Sequence, residues 1–221
     1  MPILLPSENL RAKEYSPLVG GISIGPENDA GTLGVILRTV KYGVCGLTAL
    51  HVVQDGENTI VYQPSPIDKA GPSRSIGYVI ETTTTGIDVA LIQIRQDLLS
   101  HIGVVLGLNN PLRGFVSKSE ILNLMNRPLQ KAGRTTGVTR GRLIAGPSGS
   151  YDRITIELDS AWSKLSEDGD SGAIWMTLDG RAVAVHIDRS NTGQYAEAQP
   201  IFNLGWEFEM SSFPSPGNFP V

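Results

Sequence analysis

Glycine and proline cut this chain into runs too short for most architectures, with 25 glycines and 14 prolines among 221 residues. The apolar segments between them are Gly31–Val40, Val44–Val53, Thr59–Tyr62, Ser75–Glu81 and Asp88–Ile94, then Leu129–Gly133, Gly141–Ala145, Arg153–Leu158, Ala173–Thr177 and Arg181–Ile187. Punctuation of this kind favours many short strands joined by tight turns, so the chain reads as all-β. The two groups of segments suit two barrels. Between them Asn109-Asn110-Pro111 breaks the pattern, and Ser117-Lys118-Ser119-Glu120 forms a capping box ahead of Ile121, Leu122, Leu124 and Met125. A short helix is expected there, in a connection between the barrels. The resulting division is 1–17 as an irregular leader, 18–106 as a first barrel, 107–128 as the connection, 129–210 as a second barrel and 211–221 as a proline- and serine-rich tail.

Charge and cysteine content narrow the function. A net charge of -4 and a pI near 5.4 argue against nucleic acid or an acidic membrane surface as the main partner. No segment approaches the ~20 apolar residues that span a bilayer. The N-terminal Met1–Pro6 stretch is short, lacks a basic start and does not resemble a secretion signal. A single cysteine, Cys45, excludes an intramolecular disulfide and points to a reducing compartment, so a cytoplasmic protein is expected.

The chemistry concentrates in Gly169-Asp170-Ser171-Gly172. A serine hydroxyl is a weak nucleophile at neutral pH and needs a base to take its proton and donors to hold the oxyanion that forms. Glycines on either side let backbone N–H groups approach a substrate carbonyl. Of the three histidines, His51 closes the apolar run Thr48-Ala49-Leu50-His51, where an imidazole would face a cleft. Asp88 opens Asp88-Val89-Ala90-Leu91-Ile92, an acid at the mouth of a strand that can orient the imidazole. Asp97 lacks that setting, and Asp55 follows His51 too closely. Cys45 lies inside an apolar strand and suits burial better than nucleophilic attack. Cys45, His51, His101 and His186 have no zinc-ligand spacing, so no metal is expected.

The order His51, Asp88, Ser171, with Gly31-Thr32-Leu33-Gly34 and Lys131-Ala132-Gly133-Arg134-Thr135-Thr136-Gly137 around it, resembles the trypsin-like (chymotrypsin-fold) serine peptidases, in the style of bacterial and intracellular-type domains. The resemblance implies two packed six-stranded Greek-key barrels, with His51 and Asp88 from the first and Ser171 from the second. It implies an oxyanion hole from the backbone N–H groups of Gly169 and Ser171. In activated zymogens of the family the motif aspartate pairs with a freshly cut N-terminus, and here that residue is Asp170. Leu18-Val19-Gly20-Gly21 looks like such a terminus, but Pro17 precedes it instead of a basic residue. Asp170 therefore needs another partner, a backbone donor or an arginine. His186 occupies the position where glutamyl endopeptidases bind an acidic or amide side chain, which implies Glu or Gln before the scissile bond. Asp188 and Arg189 replace the glycines usual after it, and Arg189 is a further candidate for an acidic substrate group.

The function these readings imply is a serine endopeptidase acting on a protein or peptide through an acyl-enzyme, without metal or organic cofactor, in regulated limited proteolysis inside the cell. A regulatory or activating protein partner belongs to that picture, and neither nucleic acid nor membrane does. The alternatives are a silent pseudo-protease that serves as a binding scaffold, and an esterase or acyltransferase using the same triad.

Overall fold

The computed structural model describes residues 10–54, 56–69, 71–82, 86–148, 152–204, 206 and 209. The expected tail at 211–221 and residues 1–9 of the expected leader lie outside them, as does Asp55. The first half contains β1 (Leu18–Gly20), β2 (Ile22–Ile24), β3 (Gly31–Leu33), β4 (Val35–Thr39), β5 (Gly43–Thr48), β6 (Ile60–Gln63), β7 (Arg74–Thr82), β8 (Ala90–Ile94) and β9 (Ser100–Val105). An antiparallel sheet runs β4-β5-β8-β7-β6, flanked by the ribbon β2-β3 and the parallel pair β1-β9. Among the described residues these ladders do not join into one closed ring.

The second half contains β10 (Gly114–Phe115), β11 (Pro128–Gly133), β12 (Gly137–Ser148), β13 (Arg153–Leu158), β14 (Ile174–Thr177), β15 (Arg181–Arg189) and β16 (Tyr195–Pro200). Here the ladder β15-β14-β11-β12-β13-β16 returns from β16 to β15 and closes a six-stranded barrel, with β10 added alongside β15.

The expected helix in the connection is not formed. The capping contact exists, since the Ser117 N–H donates to Glu120 Oε2 at 3.0 Å and its hydroxyl to the same oxygen at 2.7 Å. The chain then makes a single 3-10 turn, Ile121–Leu124. Met125 is already extended, Asn126 has φ 60, and Pro128 begins the next strand, so the run is stopped before a second turn can form.

Alternation along the strands serves two interiors at once. On β4 and β5, Val35, Leu37, Cys45 and Leu47 join Ile174, Met176, Val185 and Ile187 of the second half in one buried cluster. Leu33 and Ile36 turn the other way, into a core of the first half with Val61, Ile76, Val79 and Ile92. Trp175 and Val183 likewise face a core of the second half with Leu143, Ile154 and Ile156. The halves are therefore joined by a continuous apolar seam.

Candidate functional site

β5 ends at Thr48, and the chain enters a 3-10 turn, Leu50–Val53, whose Val52 and Val53 are buried. Burying those two valines leaves His51 on the open side, its side chain 46% exposed against 22% for Asp88. Asp88 stands two residues before β8, the neighbour of β5 in the sheet, so the two residues meet at one sheet end. The His51 N–H donates to Asp88 Oδ1 at 2.9 Å, and the ring Nδ1 lies 2.7 Å from Oδ2. Both carboxylate oxygens are thus engaged, and Nε2 is left as the basic nitrogen on the far side of the ring. The hydrogen bond to Asp88 raises the imidazole above its ordinary pKa against the effect of burial. Burial alone would raise Asp88, but its bonds to His51 outweigh that and hold the carboxyl below its usual range.

Ser171 arrives at the same seam from the second half. Gly169 and Gly172 have φ of 93° and 94°, a region that L side chains rarely adopt. A β-carbon on Gly172 would collide with the Thr32 carbonyl and the Thr48 hydroxyl. That close approach lets the Thr32 N–H donate to the Ser171 carbonyl at 2.8 Å, while the Thr32 hydroxyl donates to the Gly169 carbonyl at 2.9 Å. Thr32 of β3 thereby fixes the serine turn against the strands that carry His51. The Ser171 hydroxyl donates a long bond, 3.4 Å, to the Ile187 carbonyl rather than to the imidazole. Within the motif the N–H groups of Asp170, Gly172 and Ala173 have backbone acceptors. Among the described residues those of Gly169 and Ser171 have none.

Asp170 is held from inside the chain. Its carboxylate and the Lys131 ammonium, both 0% exposed, lie 2.8 Å apart. Oδ1 accepts the N–H groups of Thr135 and Thr136, and Oδ2 accepts the Thr136 hydroxyl at 2.6 Å and the Glu167 N–H at 3.1 Å. Burial would raise this carboxyl, yet Lys131 and the donors bring it down to about 2. The expected backbone donors are there, but the cation is a lysine and not an arginine. In the sequence Lys131 is only one residue of the run Leu129–Gly133, with nothing local to mark it as enclosed. The Thr135 hydroxyl donates to the Asp168 carbonyl at 2.6 Å, which turns the following Gly169 N–H to the opposite side of that peptide.

His186, on β15, is 1% exposed and reaches Ser166 Oγ at 2.6 Å through Nε2, while Nδ1 has no protein partner. Burial pushes its pKa down to about 3, so the ring is neutral. In front of Ser166 lies a depression of about 350 Å³, lined also by Thr135, Lys164, Glu167, Asp168 and Arg189. His186 stands behind that lining. Arg189 crosses the mouth to Asp168 at 2.9 Å, a carboxylate that is 92% exposed. A larger depression, about 490 Å³ around Glu27, Glu57 and Tyr62, holds none of these residues. Cys45 is buried beside Thr39, and burial pushes its thiol up to about 11, which leaves no thiolate for attack. Asp97 pairs with Arg95 on the surface, and His101 lies on β9.

No family model matches the sequence, and no curated protein matches it. Solved structures do. Thermobifida fusca protease A superimposes with a TM-score of 0.65 at 19% identity, covering 86% of this chain and 97% of that one. A glutamic-acid-specific serine protease, described as using a histidine triad in substrate binding, gives 0.66 at 17% identity, with 87% and 100% covered. Cellulomonas bogoriensis chymotrypsin gives 0.62 at 18% identity, with 89% and 100% covered. The chain has the fold of the chymotrypsin-like serine proteases.

Proposed function

We propose that the chain is a serine endopeptidase with Ser171 as nucleophile, His51 as base and Asp88 as its orienting acid. The observations that carry this reading are the two-point bond between His51 and Asp88, which leaves Nε2 as the basic nitrogen, and a serine turn packed against Thr32 and Thr48 whose Gly169 and Ser171 N–H groups have no acceptor among the described residues. In the first step the Ser171 hydroxyl swings from the Ile187 carbonyl to Nε2, gives up its proton there and attacks the peptide carbonyl carbon. The oxyanion is received by the Gly169 and Ser171 N–H groups, each such donor being worth about 3 kcal/mol in the transition state. The imidazolium then passes its proton to the departing amine, leaving an acyl-serine. Water adds to that ester with His51 again taking a proton, which it returns to the Ser171 oxygen as the C–O bond breaks and the acid product leaves. Asp88 stays ionised throughout and stabilises the imidazolium.

The substrate runs as an extended strand along the seam, its side chain before the scissile bond entering the depression at Ser166. Arg189 then exchanges the exposed Asp168 for a Glu or Gln side chain, and His186 acts through Ser166. The first-half sheet with its ribbons stands as the second barrel of the architecture. Regulated cleavage inside the cell fits the single cysteine. One observation favours the scaffold alternative, the Ser171 hydroxyl turned to Ile187. A fluorophosphonate probe separates the two, because it forms an adduct at Ser171 only if the hydroxyl can be activated. On a peptide library, wild type is expected to cleave after Glu or Gln, and Ser171→Ala to lose about 10⁶-fold in kcat. Absence of both adduct and cleavage in the folded protein sinks the peptidase reading.

A further inference from the structure

Arg11 belongs to the segment that precedes β1, yet its guanidinium is seated between the two halves. Nη1 donates to the Gly21 carbonyl at 2.7 Å and Nη2 to the Leu106 carbonyl at 2.9 Å. The socket is walled by glycines. A β-carbon at Gly21 or Gly107 would stand 2.9 Å from the guanidinium, and one at Gly137 would stand 3.4 Å from Nε. All three have positive φ, of 78°, 82° and 66°. The position of a Gly21 β-carbon is also 3.1 Å from Ala132, the residue after Lys131, so the socket abuts β11. Gly137 follows Thr136 directly. The far side of the 134–136 turn is the cradle of Asp170, made by the N–H groups of Thr135 and Thr136 and the Thr136 hydroxyl.

The segment after Arg11 is tied down as well. Gln63, fully buried, donates through Nε2 to the Lys13 carbonyl at 2.7 Å and accepts the Tyr15 N–H at 3.0 Å. Arg74 donates to the Tyr15 carbonyl at 2.5 Å and pairs with Glu14 at 3.4 Å. These bonds fix the segment to β6 and β7, and Arg11 extends that anchorage across to the β11–β12 turn.

We infer that Arg11 is a positioning residue, a brace by which the segment before β1 holds the turn at 134–137 and, through it, Asp170 and the loop bearing the Gly169 and Ser171 amides. Its consequence for catalysis rests on the peptidase reading. Electrostatics agrees with the placement: burial lowers the Arg11 guanidinium, Tyr15 and then the negative charge of Asp170 oppose that, and Arg11 adds to the burial that lowers Lys131. Only Lys131 pairs with the carboxylate, and Arg11, from the leading segment, feels its charge from farther out. Such a brace makes residues 10–15 part of the working fold.

Arg11→Met and Arg11→Lys in the full chain test this by two independent readouts. Amide hydrogen exchange at Thr135 and Thr136 is expected to quicken at least tenfold in Arg11→Met, while the Gly34 amide, bonded to Leu47 within the first half, keeps its rate. Arg11→Lys, which keeps the charge and can reach one of the two carbonyls, should fall between. On a cleaved peptide, Arg11→Met should lower kcat about tenfold with KM within about twofold, and Arg11→Lys should recover part of the loss. If Arg11→Met fails to fold, the lysine variant carries the same exchange comparison. Unchanged exchange at Thr135 and Thr136, or equal quickening at Gly34, overturns the brace whatever the activity. Quickened exchange in a chain that neither cleaves nor labels leaves the brace standing and removes the peptidase reading instead.

Discussion

Under the proposed function a base is useful only if the right nitrogen faces the work, and at His51 that choice falls to Asp88. With Oδ1 on the backbone N–H and Oδ2 on Nδ1, the carboxylate fixes both the ring and its tautomer. Asp88→Asn keeps the shape and offers an N–H where an acceptor is needed, so kcat should fall about 10⁴-fold. The pH profile gives the sign. Activity requires neutral His51 and rises with pH through its pKa, which the bond to Asp88 holds above the ordinary value. Removing that bond moves the acid limb of kcat/KM to lower pH. A limb that stays put or moves upward in the variant would show that Asp88 does not tune His51. These two residues were legible in the sequence because each stands at the end of an apolar run, a local feature. The lysine that holds Asp170 was not, because a buried charge is recognised by its partner 39 positions away and not by its neighbours. His186 shows the same limit, since the bond that fills its Nε2 comes from Ser166 on another loop.

At the scale of elements, the β11–β12 hairpin does for the serine turn what the Leu50–Val53 turn does for His51, the proposed base. β11 brings Lys131 inward, and the turn after Gly133 folds the Thr135 and Thr136 N–H groups over the same carboxylate. Removing one partner of a fully buried pair leaves the other charge unmatched, so Lys131→Met should cost about 3–5 kcal/mol in urea unfolding. The double variant Lys131→Met with Asp170→Asn should recover part of that stability while remaining slow, because the loop is no longer drawn inward. A loss under about 1 kcal/mol in the single variant contradicts this account. Most strands were readable from turn spacing and short apolar runs, and β4, β5, β8, β13 and β15 fall within or close to those runs. β9 and β16 were not, since Ser100–Val105 mixes a histidine and a glycine into its run and Tyr195–Pro200 is polar and alanine-rich. What makes β16 a strand is pairing on both sides, with β13 and β15, which closes the barrel. The expected helix failed for the converse reason, a good start signal with too few residues before Asn126 and Pro128 to repeat it.

Across the whole molecule, the residues proposed as a triad come from the two halves that an apolar seam joins, so their spacing is a property of how those halves pack. β4 offers a controlled comparison. Leu37 and Ile36 are adjacent and both fully buried, but Leu37 belongs to the cluster shared by the halves and Ile36 to the core of the first half alone. Truncating either to alanine removes similar apolar volume and should cost about 2–5 kcal/mol. The functional consequences should diverge. The first-half core also seats Val52 and Val53 beside His51, but a cavity there does not let the halves shift, so Ile36→Ala should retain most of the wild-type kcat per folded molecule. A cavity in the seam lets the halves shift against each other, and a displacement near 1 Å between nucleophile and base costs about 10²-fold. Leu37→Ala should therefore lose most of its kcat under conditions where the unfolded fraction, measured by urea titration, matches that of Ile36→Ala. Fluorophosphonate titration of active sites supplies the per-molecule correction. Equal losses of kcat in the two variants would mean that the seam does not set the geometry, and that Thr32, bonded to both Gly169 and Ser171, holds the serine turn in place without it.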